Sequence, residues 1–272
     1  MTALAFITTL RHPHNSNDYR EVERIFSQSA ASWLRQSHPD IALVVVANRR
    51  PPLPDDPRVH YAEVDFAPPS DVNGPRTGIA AVLRDKGTKN AIGVAVARAL
   101  HARHVMFVDA DDFISRRLSA FVAENPEAPG WTITQGWRVN VERRTARRQG
   151  DFHLNCGSSH IIRTDLLPAI PGGAAATQDE LYTSLGEDVE RIFGSHMHLH
   201  DDFPLAPLPF PGAMYRVGTS ESHSGNALGG WGRPITARLA REFTVSATGR
   251  SPARIAVAVL PSYRAIRERL RH

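Results

Sequence analysis

Three aspartates, Asp109, Asp111 and Asp112, stand within four positions at the end of an apolar run in VMFVDADDFIS, at 105–115. Carboxylates so close together repel one another, and one of them keeps its proton to higher pH unless a cation lies among them. In an extended chain residues i and i+2 point the same way, so Asp109 and Asp111 are expected to face one ligand, with the small Ala110 keeping the backbone close. Carboxylate oxygens suit a hard cation such as Mg²⁺ or Mn²⁺, which leaves coordination positions open for substrate phosphates. The third acid has a simpler explanation. DDFISRRLSAF reads as a capped helix start, with Asp112 favoured by the helix dipole. Two other acidic motifs fail. An EF-hand loop starting at Asp109 needs glycine at its sixth place and glutamate at its twelfth, where this chain has Ile114 and Ala120. A haloacid-dehalogenase-type phosphatase motif ends in threonine or valine and sits on a first strand; here Phe113 takes that place on what reads as the fourth.

Other groups capable of chemistry lie along the chain. Lys86 and Lys89 are its only lysines and stand just upstream of the aspartates, within reach of the same anions. Glu187 and Asp188, in LGEDVERIF, form a second acidic pair at a helix start, and His200, Asp201 and Asp202, in HLHDDFPL, form a rival cluster in an expected strand-edge turn. His223 falls in GTSESHSGNALGGWG, a glycine- and serine-rich segment of the kind that closes over a ligand. Trp131 and Trp137 offer aromatic faces on which a sugar can stack, core packing being the alternative for at least one.

The elements that must position these residues follow from periodicity. ALAFITTL at 3–10, IALVVVA at 41–47 and VHYAEVDF at 59–66 read as strands, the second buried on both faces. Residues 19–36 place Val22, Ile25, Phe26 and Trp33 at helical spacing behind capping residues, and alanine-rich 90–102 is a second helix leading into HVMFVDADD. Strand and helix alternate to residue 112, the signature of a parallel sheet with crossovers. The aspartates thus fall at the carboxyl end of a parallel strand, where open α/β sheets bind ligands. Beyond them, 130–144 and 151–163 read as antiparallel strands joined by a polar turn, 179–197 as helical, and the C-terminal region as two basic amphipathic helices. The expected division is 1–115 as one half of a domain, 116–230 as the other half, and 231–272 as a helical extension.

Bulk properties narrow the function. A net charge of +4 over 272 residues suits phosphorylated small molecules and argues against nucleic acid. Cys156 is the only cysteine, which excludes an internal disulfide and fits a reducing compartment. The N-terminus reads as a strand rather than a signal peptide and no apolar run approaches the ~20 residues of a membrane span, so a cytoplasmic location is expected. Residues 253–272 place Ile255, Val259, Ile266 and Leu270 near one helical stripe beside several arginines. That stripe is expected to dock on the chain itself or on a second copy as a homodimer, with peripheral contact to an anionic membrane ranked below both.

KNAIGVAVARALHARHVMFVDADDFIS resembles the corresponding segment of family-two-like glycosyltransferases of the GT-A fold, in which a basic residue and an asparagine open a helix and the next strand ends in Asp-x-Asp. NCGSSHIIRTDLL, LGEDVERIF and LPFPGAMYRVGTSESHSGN resemble the family's later motifs in the same order, so the likeness covers about 3–226. The resemblance implies an α/β fold with a mostly parallel sheet flanked by helices, and metal-dependent transfer of a sugar from a nucleotide-diphospho-sugar to a hydroxyl of a saccharide or small polar acceptor. It makes Asp111 the direct metal ligand, puts Asp109 on the ribose or a metal-bound water, and makes His223 a third ligand. It gives Asp188, with Glu187, the role of base in an inverting reaction. It places the donor against Thr8, Thr9, Lys86 and Lys89, and the acceptor near Trp137 and Ser158. One feature departs from the pattern: the second strand ends VANRRPP, with Asn48 where the family carries a base-reading acid, so either a UDP- or a GDP-sugar fits, and a retaining mannosyl- or glucosyltransferase stands as the alternative. A sugar-phosphate nucleotidyltransferase fits less well, because TTLRHPHNSND lacks the glycine-rich loop such enzymes carry after their first strand.

Overall fold

The computed structural model describes residues 2–75, 77–219, 221, 228, 232–249 and 255–256. Strand β1 (Leu4–Thr9) is followed by α1 (Tyr19–Leu34), β2 (Ile41–Ala47), β3 (Val59–Glu63), α2 (Ile79–Ala99) and β4 (His104–Phe107). Asp18 caps α1 by accepting from the Arg20 N–H at 3.0 Å, and Val22, Ile25, Phe26 and Trp33 form its buried face. The later elements are β5 (Phe113–Ile114), α3 (Leu118–Glu124), β6 (Gly130–Thr132), β7 (Gln135–Asn140), β8 (Thr145–Gly150), β9 (His160–Arg163), α4 (Gln178–Leu185), a π-helical segment (Val189–Gly194), α5 (Leu199–Asp202), β10 (Ala206–Pro207), β11 (Ala213–Arg216), β12 (Arg233–Pro234) and α6 (Ala237–Phe243).

The larger sheet runs in the order β10-β6-β9-β4-β1-β2-β3. Its centre is parallel, with Ile7 opposite both Val44 and Phe107, while β9 runs antiparallel between β4 and β6. Alternate residues of the strands feed two apolar layers. One joins Phe6, Leu43, Phe26, Trp33 and Leu118 under α1 and α3; the other joins Ile7, Val44, Ile92, Leu181 and Phe193 under α2, α4 and the π-helical segment. This is the expected α/β architecture. A smaller sheet, β12-β8-β7-β11-β5, packs Phe113, Val139, Met214 and Ile235 against Phe243 of α6. Among the described residues no helix is long and apolar enough to cross a membrane.

Several local expectations are corrected. The second helix begins at Ile79, not at residue 90: Gly87 lies inside it because a Cβ there would stand 2.0 Å from the Val189 carbonyl oxygen, so the glycine serves close packing rather than ending the helix. Phe113–Ile114 is a strand and α3 starts only at Leu118, so Asp112 caps no helix. The polar stretch TARRQG, read as a turn, is β8, paired in register with β7 from Gln135–Gly150 to Asn140–Thr145. The turn expected around His200 is the short helix α5. The stripe at 253–272 lies outside the described residues except Ile255 and Ala256.

Candidate active site

The strand order reverses between β1 and β4, since β1–α1–β2 builds one way and β4 lies on the other side of β1. A parallel sheet opens a crevice at such a point, beyond the carboxyl ends of its strands. Here it is a cavity of about 570 Å³ whose floor carries Thr9 and Arg11 from the end of β1 and Asp109 and Asp111 from the end of β4. Lys86 of α2 and His196, after the π-helical segment, stand on its wall.

The aspartates reach one space, but through a turn rather than strand alternation. β4 ends at Phe107, and the Asp112 N–H donates to the Asp109 carbonyl at 3.0 Å, folding the three acids around a tight bend. Each acid then has its own environment. Lys86 Nζ donates to Asp109 Oδ1 at 2.5 Å, both side chains remaining partly open at 25% and 30% exposure. Burial works to raise the Asp109 carboxyl, but the charge and hydrogen bond of Lys86 override it and hold the group below the usual carboxylate range. Gly157 lies against this pair: a Cβ there would meet Asp109 Oδ2 at 2.5 Å and Lys86 Nζ at 3.0 Å.

Asp112 is completely buried. It accepts from the Ser158 hydroxyl at 2.6 Å, the Cys156 thiol at 3.0 Å and the Arg216 N–H at 3.1 Å, and its own carbonyl accepts from the Trp33 indole at 3.1 Å. Burial first, then Asp111 and Asp109, push its carboxyl well above the usual range. It is an anchor that fixes the bend.

Asp111 is the open one. Among the described residues no lysine or arginine pairs with it within 4 Å; Arg216 and Arg11 favour its ionised form from farther away. Burial, then the Asp109 charge, raise it to about 6. A half-buried carboxylate pressed toward its neutral form by a neighbouring carboxylate is what a hard cation relieves, and one such oxygen ligand, completed by substrate phosphates and water, suits Mg²⁺ or Mn²⁺. Among the described residues no three His, Cys, Asp or Glu side chains gather to hold an ion, so a cation here would have Asp111 as its protein ligand and would need substrate phosphates and water to complete it. Asp109 is not an equal ligand, because Lys86 already holds it.

The other expected site residues divide. Thr9 lines the cavity, but Thr8 points into the core, as strand alternation requires. Asn48 donates to the Phe66 carbonyl at 2.7 Å and is not on the cavity wall. Lys89 is fully buried, paired with Asp85 at 2.8 Å and donating to the Leu10 carbonyl at 3.0 Å; it holds the end of β1 and is withdrawn from any phosphate. Ser158, expected on the acceptor side, is buried and braces the bend by accepting from the Asp109 N–H at 2.9 Å as it donates to Asp112. Trp137 packs on the smaller sheet under Arg148, and Trp131 is buried against His104 and Phe121. Glu187 lines a separate open hollow of about 620 Å³, and neither it nor Asp188 lines the Asp111 cavity; Leu83 and Ser195 border both spaces. Asp202 of the rival cluster is paired with Arg191 at 2.5 Å. His223 lies outside the described residues.

Arg11, Arg216 and His196 were not anticipated. Arg11 was within reach of the same strand-end logic that found Asp109, since it follows β1 by two residues. His196 had a weaker signal, the alternation of His196, His198 and His200 in SHMHLH. Burial and the Lys86 charge hold its imidazole at about 4, so it faces the cavity neutral.

No protein-family model and no curated protein matches the chain. Among solved structures, S. aureus TarS 1–349 in complex with UDP is similar at 15% identity and a TM-score of 0.44, over 80% of this chain and 61% of that one. A putative nucleotide-diphospho-sugar transferase from Desulfovibrio desulfuricans G20 gives 10% and 0.32, over 79% and 82% of the two chains. The mannosyltransferase Ktr4p from S. cerevisiae gives 9% and 0.34, over 72% and 64%. The chain spans about 60% of the length of the TarS 1–349 structures. Likenesses this remote assign no residue and no reaction.

Proposed function

We propose that this protein is a glycosyltransferase that takes a nucleotide-diphospho-sugar as donor and a hydroxyl of a saccharide or small polar molecule as acceptor. The observation that supports this most is the open, cation-seeking Asp111 beside a lysine-held Asp109 at the strand reversal, in a chain whose remaining motifs follow the order of the GT-A enzymes it resembles. Asp111 would hold Mn²⁺ or Mg²⁺. The ion, when bound, neutralises the diphosphate as it leaves. Lys86 and Arg11 add fixed positive charge on the same floor, and Lys86 keeps Asp109 ionised and oriented toward the donor. The bend, locked by Asp112 and Ser158, keeps both carboxylates in place without reorganisation.

For inversion, the acceptor hydroxyl needs a base opposite the leaving group. Glu187 and Asp188 supply it if the acceptor enters through the hollow that meets the cavity at Leu83 and Ser195. Their position outside the cavity favours a second reading, retention without a dedicated base, as in a mannosyl- or glucosyltransferase.

The test is a thermal-shift screen of the full chain against UDP-, GDP- and ADP-sugars with and without Mn²⁺. A donor at a hundred times its Kd stabilises by about 2.7 kcal/mol, which is on the order of 5–10 °C for a chain this size. A shift for one base, dependent on Mn²⁺ and lost in Asp111→Asn, supports the proposal; no shift with any nucleotide-sugar at millimolar concentration overturns it.

A further inference from the structure

Two arginines, Arg216 and Arg11, favour the ionised form of Asp111 from a distance, yet among the described residues neither forms an ion pair with it. A free guanidinium beside an open carboxylate tends to close on it, since the charged pair makes short, strong hydrogen bonds. Lys86 has closed on Asp109 in this way. Asp111 stays open, so each arginine must be held by something else. Arg216 is tied outside the cavity: its Nη1 donates to Gln28 Oε1 of α1 at 2.9 Å, and its guanidinium carbon stands 6.0 Å from the Phe113 ring centroid. Arg11 is the one that lines the cavity with Asp111, and its restraint is the one that matters there.

That restraint is Glu221. Arg11 Nη2 donates to the Glu221 carbonyl at 2.5 Å, and Nη1 donates to Glu221 Oε2 at 3.4 Å and to the Asn15 carbonyl at 3.5 Å. Glu221 follows β11 and is only 4% exposed, so its charge needs partners on both oxygens. It has them at the start of α1. Oε1 accepts from the Asp18 N–H at 3.1 Å, and Oε2 accepts from the Asn17 N–H at 3.3 Å. The carboxylate is therefore fixed by backbone donors and gives Arg11 a stationary partner. The shortest contact is to a carbonyl, which orients the guanidinium without cancelling its charge.

We propose that Glu221 is a positioning residue for Asp111: it holds Arg11 off that carboxylate and so reserves Asp111 for a divalent cation and the phosphates that accompany it. The inference rests on the reading of Asp111 as the cation ligand, and adds the reason why no arginine takes that place.

Mn²⁺ binding to the full chain is followed by electron paramagnetic resonance, with UDP or, in parallel, GDP present to complete the coordination. One ion per wild-type chain is expected, lost in Asp111→Asn. Glu221→Ala should weaken Mn²⁺ binding by about tenfold or more, because the freed Arg11 pairs with Asp111. Arg11→Met leaves nothing to hold off, so adding Glu221→Ala to it should change Mn²⁺ affinity by less than about twofold. A brace on α1 alone would cost the same in both backgrounds. Glu221→Gln, which keeps the side-chain volume and the backbone carbonyl, should fall between wild type and Glu221→Ala, and it carries the same comparison if the alanine variant does not fold. Equal losses with and without Arg11, or no loss in either background, overturn the inference and leave Asp111 as the ligand. Mn²⁺ binding that survives Asp111→Asn, or none in the wild type with either nucleotide, overturns the cation reading and this inference with it.

Discussion

Asp111 shows most directly how one side chain's surroundings turn into a measurable property. A carboxyl raised to about 6 binds its proton more tightly folded than unfolded. Its contribution to stability is therefore most favourable below the unfolded value of about 4 and is lost as pH rises from there to about 6. A divalent cation needs the ionised form, so its stabilising effect grows over the same span. Mn²⁺ should raise the melting temperature more at pH 7.5 than at pH 5.0, and Asp111→Asn should remove the difference; equal shifts at both pH values in the wild type would contradict it. Gly157 gives a second test. Its replacement by alanine pushes a methyl group into the Asp109–Lys86 pair, and a displacement near 1 Å can cost about 100-fold in rate. Gly157→Ala should thus lower turnover tenfold or more in a steady-state donor-consumption assay, with the melting temperature little changed. Asp109, Asp111, Lys86 and Thr9 were legible in the sequence because strand ends and charge clustering mark them. Thr8, Asn48, Lys89 and Ser158 were not: alternation sets Thr8 and Thr9 on opposite faces without saying which one meets the cavity, and outside a strand sequence position does not say which way a side chain turns. Each of these four is committed inward, to a carbonyl, a carboxylate or the core.

The elements hold the acids through packing that local propensity misreads. Alanine in a helix is about 1 kcal/mol better than glycine. At position 87 that gain is outweighed, because the new Cβ would sit 2.0 Å from a backbone oxygen of the π-helical segment. Gly87→Ala should destabilise the protein by about 2 kcal/mol or more in urea unfolding, against the propensity scale. The helix starts eleven residues before the alanine-rich stretch by which the sequence marked it. Asp112 was misread for a related reason: acids before a possible helix look like caps, and only the fold shows this one meeting β11 and the Cys156–Ser158 segment. Asp112→Ala leaves a hydroxyl, a thiol and a backbone N–H without their acceptor, and should cost about 2–4 kcal/mol. Equilibrium unfolding would show it; a loss under 1 kcal/mol would mean that the bend is held elsewhere. β8 was unreadable because TARRQG has no apolar alternation. It pairs on the smaller sheet between β7 and the two-residue β12, with Thr145 and Ala146 buried and Arg147 and Arg148 on the exposed stretch.

For the whole molecule, the alternation of strands and helices through residue 112 was enough to give the parallel sheet and to put the aspartates at the carboxyl end of one of its strands; the strand order, and so the reversal beside β1, came only from the fold. The smaller sheet, which draws strands from 113 to 234, was not legible, because its pairings join distant segments with weak patterns. The chain is anchored on that sheet as far as Thr248, whose hydroxyl accepts from the Ile235 N–H at 2.7 Å. Truncation after Gly249 removes the amphipathic stripe without touching this anchor. It should change the molecular mass in solution or lower the melting temperature, as light scattering and calorimetry would show. An equally stable chain of unchanged size that no longer sediments with anionic vesicles would instead place the stripe on a membrane.

The proposed chemistry rests on one cavity and one open carboxylate, so release of nucleotide diphosphate from a nucleotide-sugar tests it most directly. The full chain, given the donor found in the thermal screen, should release UDP or GDP in the presence of Mn²⁺, faster with a sugar acceptor. Excess chelator should stop the release, and Asp111→Asn should lower it by at least 100-fold with the fold intact. Release that continues undiminished in chelator and in Asp111→Asn would contradict the central claim, and would move the work of the cavity to Lys86 and Arg11.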